Sequence, residues 1–132
     1  MLLIGAGGTG KSVIVEAVTE TFAFHKKWRA LAKCATSGIA STHVGGTTVH
    51  FWAGLGITRL KSVISKQKHI TARRQRNILG KTCLIIDEMS MLHDTLLMDL
   101  AKIVAYTKQS TKEGNEHLPF GGMHVILMGD FH

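Results

Sequence analysis

The sequence predicts an α/β fold in which helices cover both faces of a mostly parallel sheet. Two apolar runs, "TCLIID" at 82–87 and "MHVILMGD" at 123–130, lack the polar alternation of half-exposed strands and are typical of fully buried ones. Segments with helical spacing of apolar residues alternate with these runs, as expected when crossover helices join parallel strands. A chain of 132 residues has the length of one domain.

In the first part of the chain we expect a strand, a loop, a helix and a second strand. The strand covers residues 1–4 and leads into the glycine-rich loop "GAGGTGKS". A helix of about sixteen residues follows. "RALAKCATS" at 29–37 predicts the second strand and the loop after it. The expected buried stripe of the helix consists of Ile14, Val18 and Phe22.

The rest of the chain predicts shorter and more polar elements around the two buried strands. A stretch rich in Gly and Thr, with short helical pieces, extends to about residue 58. The basic segment after it is expected to be helical. "HDTLLMDLAKIVAY" at 93–106 predicts an amphipathic helix opened by Asp94, and a polar loop covers about 107–119. The apolar stripe of the basic segment would be Leu60, Val63 and Ile64.

The composition argues against membrane, secreted and zinc proteins. The longest uncharged run, 34–58, is rich in Gly, Thr, Ser and His, and these groups would be costly in lipid. The apolar N-terminal stretch follows no basic residue and is soon broken by Lys11, unlike a signal peptide. Cys34 and Cys83 lie in separate apolar runs and are expected to be core thiols in a reducing compartment. The eight histidines do not show zinc-site spacing.

The net charge of +7 is unevenly distributed along the chain. Twelve of the sixteen Lys and Arg residues lie between Glu20 and Asp87, where no acidic residue occurs. Such a segment fits either a solvated helix face or a surface for nucleic acid, and both interpretations stay open on charge alone. Most of its basic residues are Arg59, Lys61, Lys66, Lys68, Arg73, Arg74, Arg76 and Lys81.

The glycine-rich loop has the spacing of a phosphate-binding P-loop, Gly-x4-Gly-Lys-Ser. Glycines let backbone N–H groups wrap phosphates, and the helix that follows points its positive end at them. Lys11 would neutralise the β- and γ-phosphates, and the Ser12 hydroxyl would bind Mg²⁺. The candidate nucleotide-binding residues are Gly5, Ala6, Gly7, Gly8, Thr9, Gly10, Lys11 and Ser12.

The same letters also contain Gly-x-Gly-x-x-Gly, the dinucleotide-binding fingerprint. That alternative needs an acidic residue about twenty positions further on, to bind the ribose hydroxyls. No acid occurs between Glu20 and Asp87, so the P-loop interpretation is favoured.

"LIIDEMSML" at 84–92 supplies the partner of a P-loop in a nucleotide hydrolase. A buried strand that ends in Asp87 presents a carboxylate to Mg²⁺, and Glu88 can orient and deprotonate the attacking water. Asp-Glu after an apolar run is common at strand ends, but its occurrence beside a P-loop favours the catalytic role.

Four stretches in order resemble the Pif-type (petite integration frequency) branch of superfamily 1 DNA helicases, which move 5′ to 3′ on single strands. They are "GAGGTGKS", "TSGIASTHVGGTTVHFWAGLG" (36–56), "LIIDEMSML" and "FGGMHVILMGDF" (120–131). The second and fourth are the more specific, and they exclude kinases, GTPases and transporter ATPases. Helicase domains of eukaryotic Helitron-type transposons are similar, so a transposon origin stays open.

The resemblance implies a P-loop NTPase fold of the RecA-like, three-layer α/β/α type, with ATP and Mg²⁺ as cofactors. It implies that Lys11, Asp87 and Glu88 act on nucleotide, metal and water, with Ser12 and Asp87 as metal ligands. Asp130 matches the acid of a GD motif that couples the nucleotide site to DNA. It also implies a nuclear protein, with the mitochondrion as a second location, in DNA repair, recombination and telomere maintenance.

By the same resemblance, the segment 36–56 binds single-stranded DNA. Backbone N–H and hydroxyl groups would bind phosphates, and rings would stack on bases. Phe51 is favoured as a core residue and Trp52 as a stacking ring. Phe51 stands where the family usually has a small hydroxyl residue, which puts a hydrogen bond to DNA there in doubt. The candidate DNA-binding residues are Thr36, Gly38, Gly46, Thr47, Thr48, His50 and Trp52.

Relative to this family, residues 1–132 correspond to the first RecA-like domain, truncated at both ends. A glutamine segment that reads adenine, a glutamine near the γ-phosphate, and the second RecA-like domain with its arginine fingers would be missing. We therefore expect slow hydrolysis and no unwinding by the chain alone. The alternatives are a single-strand-binding module that depends on nucleotide without hydrolysing it, and another P-loop ATPase such as a clamp loader or packaging motor.

Overall fold

A parallel β-sheet forms the centre of the molecule. The computed structural model describes residues 1–5, 10–55, 72–115 and 117–129. Within these ranges five strands pair in parallel in the order β1-β5-β4-β2-β3, which confirms the predicted α/β fold with a parallel sheet. The strands are β1 (Leu2–Ile4), β2 (Leu31–Ala35), β3 (Thr47–Thr48), β4 (Cys83–Asp87) and β5 (His124–Gly129).

Helices connect the strands and cover both faces of the sheet. The helix predicted over 93–106 is confirmed and extends to 109, into the expected polar loop. It continues because its last turn is covered: Lys108 is 5% exposed, and a Cβ added to Gly121 would lie 3.1 Å from the Lys108 Cδ. The α-helices are α1 (Lys11–Phe24), α2 (Gly38–Val44), α3 (Val49–Ala53), α4 (Ala72–Ile78) and α5 (Asp94–Gln109), and 3-10 helices cover Trp28–Ala30, Met89–Met91 and Pro119–Gly122.

The face that α1 turns to the sheet differs by one position from the predicted stripe. Ile14 is 38% exposed, whereas Val15 is buried. Val18 and Phe22 pack against the same core cluster as Val15, as predicted. Residues 15, 18 and 22 also follow helical spacing, so the periodicity permitted either stripe.

Two hydrophobic cores lie on opposite faces of the sheet, because successive residues of a strand point to opposite sides. On β4, Leu84 and Ile86 belong to the core under α3, α4 and α5. Cys83 and Ile85 belong to the core under α1 and α2. This alternation explains why the strand is apolar throughout, and it gives the molecule three layers.

Both cysteines are buried thiols without a disulfide, as the sequence predicts. Burial raises the pKa of the Cys34 thiol from 9.0 to about 12, against a smaller lowering by its hydrogen bond with Thr47. Burial also raises the pKa of Cys83. Each thiol therefore stays protonated and acts as a small apolar side chain.

The helix α4 is anchored to α3 by polar side chains. The buried Arg74 donates from Nε to the Ala53 carbonyl oxygen at 2.8 Å and from a terminal nitrogen to that of Gly54 at 3.2 Å. Burial lowers the pKa of this guanidinium. Asn77 donates from Nδ2 to the Trp52 carbonyl oxygen at 3.0 Å. These contacts use the carbonyl groups that become unpaired where α3 ends.

Part of the basic segment lies outside the described residues. The predicted stripe of Leu60, Val63 and Ile64 falls there, while Arg73, Arg74, Arg76 and Lys81 are described. In the described ranges, no helix combines the length and the apolar character needed to cross a membrane.

Candidate functional site

One edge of the sheet gathers most of the residues that the sequence singles out. Parallel strands share their carboxyl ends, so Gly5 after β1, Asp87 at the end of β4 and Gly129 at the end of β5 all lie at this edge. In open α/β sheets, ligands bind at this edge. A cleft of about 420 Å³ opens here, and its lining includes Gly10, Lys11, Ser12, Asp87 and Glu88.

In the described part of the glycine-rich loop, Gly10 leads directly into α1. Gly10 precedes α1 with φ 94°, a left-handed conformation that side chains disfavour. Lys11 begins α1, and its Nζ donates a hydrogen bond to the Gly5 carbonyl oxygen. The ammonium group therefore lies beside the first glycine of the loop. Ala6, Gly7, Gly8 and Thr9 lie outside the described residues.

The turn after β4 holds Asp87 and Glu88 side by side. The Glu88 N–H donates to Asp87 Oδ1 at 2.8 Å. Glu88 has φ 57° and ψ 45°, a left-handed conformation that is uncommon for a residue with a side chain. Gly129 makes room for this turn, because a Cβ added there would lie 2.9 Å from the Met89 Cγ. The last glycine of β5 thus supports the acidic pair.

The Glu88 carboxylate points to the end of β2. Its Oε2 accepts a hydrogen bond from Ser37 Oγ at 2.8 Å and a longer one from Thr36 Oγ1 at 3.3 Å. The family resemblance implies DNA binding by the whole segment 36–56 and includes Thr36 among the candidate residues, but it does not single out Ser37. A local signal was available, because Ser is a preferred N-cap and Ser37 caps α2 through the Ala40 N–H.

The candidate DNA-binding residues follow β2, through α2 and β3 to α3. Gly46 has a structural reason for its identity, since a Cβ there would lie 1.9 Å from the Lys33 carbonyl oxygen. Thr48 is the N-cap of α3, and its Oγ1 accepts the Phe51 N–H at 3.2 Å. Among the others, Gly38 and Thr47 are exposed, whereas Thr36 and His50 are partly exposed.

The two adjacent aromatic rings have the opposite placement to the predicted one. Phe51, expected in the core, is 53% exposed. Trp52, expected to stack on a base, is 5% exposed and belongs to the core that includes Leu100. Adjacent helical residues point about 100° apart, so one of the two rings packs inward and the larger one fills that space. The burial of Trp52 leaves its ring without the accessible face that stacking needs.

Phe51 has a cationic neighbour at the surface. The Arg73 guanidinium carbon lies 4.7 Å from the centroid of the Phe51 ring. An exposed ring beside a guanidinium is a combination that stacks on bases and attracts phosphates.

The described lining of the cleft offers too few protein ligands to enclose a metal ion, so a metal there would take part of its coordination shell from elsewhere. Among the residues with described positions, no three His, Cys, Asp or Glu side chains form a group that could hold a metal ion. Mg²⁺ commonly takes one or two protein ligands and completes its shell with water and phosphate oxygens. Ser12 and Asp87 line the same cleft and fit that mode. Asp130, the fourth predicted catalytic residue, lies outside the described residues.

The comparisons with known proteins point to one family. The family "PIF1-like helicase" matches residues 1–132. The chain is 32% identical over 133 residues to the ATP-dependent DNA helicase RRM3 of Saccharomyces cerevisiae, covering 96% of this chain and 17% of that one. It is 35% identical over 135 residues to the ATP-dependent DNA helicase PIF5 of Trypanosoma brucei, covering 99% and 14%.

Solved structures agree with these relatives. Pif1 helicase from Bacteroides in complex with ADP-AlF3 and single-stranded DNA superposes with a TM-score of 0.78 at 25% identity, covering 98% of this chain and 28% of that one. Pif1 helicase from Candida albicans superposes with a TM-score of 0.72 at 32% identity, covering 99% and 28%. The family match covers the full length of the chain, and the fold, the acidic pair and the described ends of the P-loop agree with it. The chain therefore belongs to the PIF1-like helicase family.

Proposed function

We propose that the chain is a motor domain that binds ATP with Mg²⁺ in the cleft and single-stranded DNA along residues 36–55. In the complete protein this domain would drive 5′-to-3′ DNA unwinding. The observation that carries the proposal is the meeting of Lys11, Asp87 and Glu88 in one cleft at the carboxyl edge of the sheet. A lysine for phosphate and two acids for metal and water form the minimum set for nucleotide hydrolysis.

Within the cleft, each residue has a distinct task. Lys11 binds the β- and γ-phosphates, and the backbone N–H groups at the start of α1 complete the phosphate cradle. Ser12 and Asp87 would hold Mg²⁺, which neutralises charge on the phosphates when bound. Glu88 orients the attacking water and accepts its proton. Asp130 is proposed as a coupling acid, on resemblance alone.

The proposed DNA surface keeps most of the predicted residues and replaces Trp52 by Phe51. Thr36, Gly38, Thr47 and His50 offer backbone, hydroxyl and ring contacts to a strand. The exposed Phe51 ring offers the stacking face that Trp52 lacks. The similar Pif1 helicase from Bacteroides forms a complex with single-stranded DNA, which supports single-stranded DNA as the class of ligand.

The wider role is proposed from the family. The curated relatives named above are ATP-dependent DNA helicases, and this chain spans 17% and 14% of their lengths. We propose that the second RecA-like domain needed for unwinding belongs to the same parent protein. We also propose a nuclear or mitochondrial location and a role in DNA repair, recombination or telomere maintenance.

A Glu88→Gln variant tests the hydrolytic part of the proposal. General-base catalysis contributes about 10²- to 10⁴-fold, so single-turnover ATP hydrolysis should fall by at least about 10². Binding of ATP and oligo(dT) should remain, since glutamine is nearly isosteric. Glu20→Gln, on the exposed face of α1, is the matched control and should hydrolyse ATP like the wild type. Equal hydrolysis by wild type and Glu88→Gln would remove Glu88 as the catalytic base, whereas no hydrolysis by either protein would support a module that only binds nucleotide.

A further inference from the structure

The Ser37 hydroxyl connects the two proposed ligand sites directly. Its Oγ lies 2.8 Å from Glu88 Oε2, although the two residues are 51 positions apart in sequence. Ser37 belongs to the segment proposed to bind DNA, and Glu88 is the proposed base for ATP hydrolysis. The contact therefore joins one site to the other without an intervening residue.

The direction of this hydrogen bond follows from the N-cap of α2. Ser37 Oγ accepts the Ala40 N–H at 3.2 Å, which occupies a lone pair of the hydroxyl oxygen. An ionised carboxylate can only accept, so the hydroxyl proton points at Glu88. Thr36 Oγ1 adds a weaker contact, 3.3 Å from Glu88 Oε2 and 3.2 Å from the Glu88 carbonyl oxygen.

The sheet register makes this pairing a built-in feature of the fold. β2 and β4 are neighbours, and Ala35 pairs with Asp87 at their carboxyl ends. The residues that follow each strand are therefore adjacent, Thr36 and Ser37 on one side and Glu88 on the other. At the end of the neighbouring β5, Gly129 leaves room for the turn that carries Glu88, because an added Cβ would lie 3.0 Å from the Met89 backbone nitrogen.

We propose that Ser37 is a positioning residue that couples single-strand binding to the nucleotide cleft by holding or releasing the Glu88 carboxylate. The inference rests on the proposed function and adds to it a specific link. In the state seen here the carboxylate is paired with Ser37 and Thr36. In the second state the pair is broken and Glu88 faces the nucleotide.

Both ligands favour the released state. A DNA strand along 36–55 offers phosphate oxygens that compete for the Thr36 and Ser37 hydroxyl protons. A nucleotide with Mg²⁺, which Ser12 and Asp87 would hold, would favour the Glu88 carboxylate on the side of the cleft. Two ligands that favour the same state of one element strengthen each other's binding, and the coupling is reciprocal.

The test measures the affinity for a Mg²⁺-bound, non-hydrolysable ATP analogue with and without saturating oligo(dT). We expect oligo(dT) to tighten analogue binding in the wild type by a factor of about 5–150, the usual range of allosteric coupling. Ser37→Ala removes the paired state, so the analogue should bind more tightly without DNA, and the coupling factor should fall at least about threefold. Ser37→Thr keeps the hydroxyl and should retain the wild-type factor.

Two further variants separate coupling from local structure. Thr21→Ala lies on α1, outside the proposed DNA segment, loses a hydroxyl contact to the Ala17 carbonyl oxygen at 2.7 Å, and should keep the wild-type factor. Ser37→Gly replaces Ser37→Ala if the loss of the cap unfolds the protein, because glycine is tolerated at N-caps. In a Glu88→Ala background, Ser37→Ala should not change the coupling factor further, since the residue acts through Glu88.

The outcomes distinguish this inference from the proposed function. A wild-type chain that binds neither the analogue nor oligo(dT) would overturn the proposed function, and the inference with it. A chain that binds both without coupling would overturn the inference alone. A coupling factor in Ser37→Ala equal to that of the wild type, or an equal loss in Thr21→Ala, would also overturn it.

Discussion

Single residues decide what the nucleotide cleft can do, and their roles follow from short-range chemistry. Lys11 contacts the Gly5 carbonyl oxygen across the loop, and Glu88 takes a left-handed conformation beside Asp87. The loop and the acidic pair could be predicted from sequence because their residues are consecutive or at fixed spacing. The N-cap role of Ser37 has a local signal, but its contact with Glu88 could not be predicted, since it joins residues 51 positions apart.

Lys11→Ala should weaken ATP binding. A hydrogen bond to a charged group contributes about 1.5–3 kcal/mol, so the affinity should fall roughly 10- to 150-fold. Isothermal titration calorimetry with ATP and Mg²⁺ measures the change. Lys102→Ala, which removes an exposed lysine from α5, is the control and should bind ATP like the wild type. An unchanged affinity in Lys11→Ala would remove the P-loop assignment.

The two adjacent rings should respond oppositely to truncation. Trp52→Ala leaves a cavity in the core and should lower the free energy of unfolding by about 3–5 kcal/mol. Phe51→Ala should change it by less than about 0.5 kcal/mol, because the ring is largely exposed. Fluorescence anisotropy with oligo(dT) should show that Phe51→Ala weakens binding by about 1–3 kcal/mol. If Phe51→Ala binds DNA like the wild type, the surface ring has no stacking role.

At the scale of elements, the sequence predicted whether a segment is a helix or a strand more accurately than it predicted where that element ends. The strands β4 and β5 lie where the continuous apolar runs predicted them. A strand that is buried on both faces is apolar at nearly every position, which makes it easy to recognise in the sequence. α5 extends past its predicted end, since the turn that covers Lys108 comes from residues 119–122, remote in sequence. Tertiary contacts of this kind also decided that Trp52 rather than Phe51 packs inward.

The junction between α2 and β3 depends on the absence of a side chain at one glycine. Gly46→Ala would place a Cβ 1.9 Å from the Lys33 carbonyl oxygen, so backbone must move. We expect a loss of about 1–3 kcal/mol in the free energy of unfolding, as for other overpacked sites. Gly38→Ala is the matched control, because nothing lies within 4 Å of its added Cβ. Equal stability of the two variants in urea unfolding would contradict this packing.

At the scale of the whole molecule, both proposed ligands bind at one edge of the sheet. The cleft between α1 and β4 is proposed to bind the nucleotide, and the chain after β2 is proposed to bind single-stranded DNA. With a net charge of +7, however, the molecule could bind any polyanion through general attraction. Two separate sites would let both ligands bind at the same time. General attraction to one basic surface would make the two ligands compete.

The most direct test of the central claim is therefore a titration of labelled oligo(dT) into the chain while a Mg²⁺-bound, non-hydrolysable ATP analogue saturates the cleft. The account predicts a ternary complex in which both ligands bind one to one, and in which Lys11→Ala loses the analogue but keeps the DNA. Mutual displacement of the two ligands, or equal loss of both in Lys11→Ala, would contradict it.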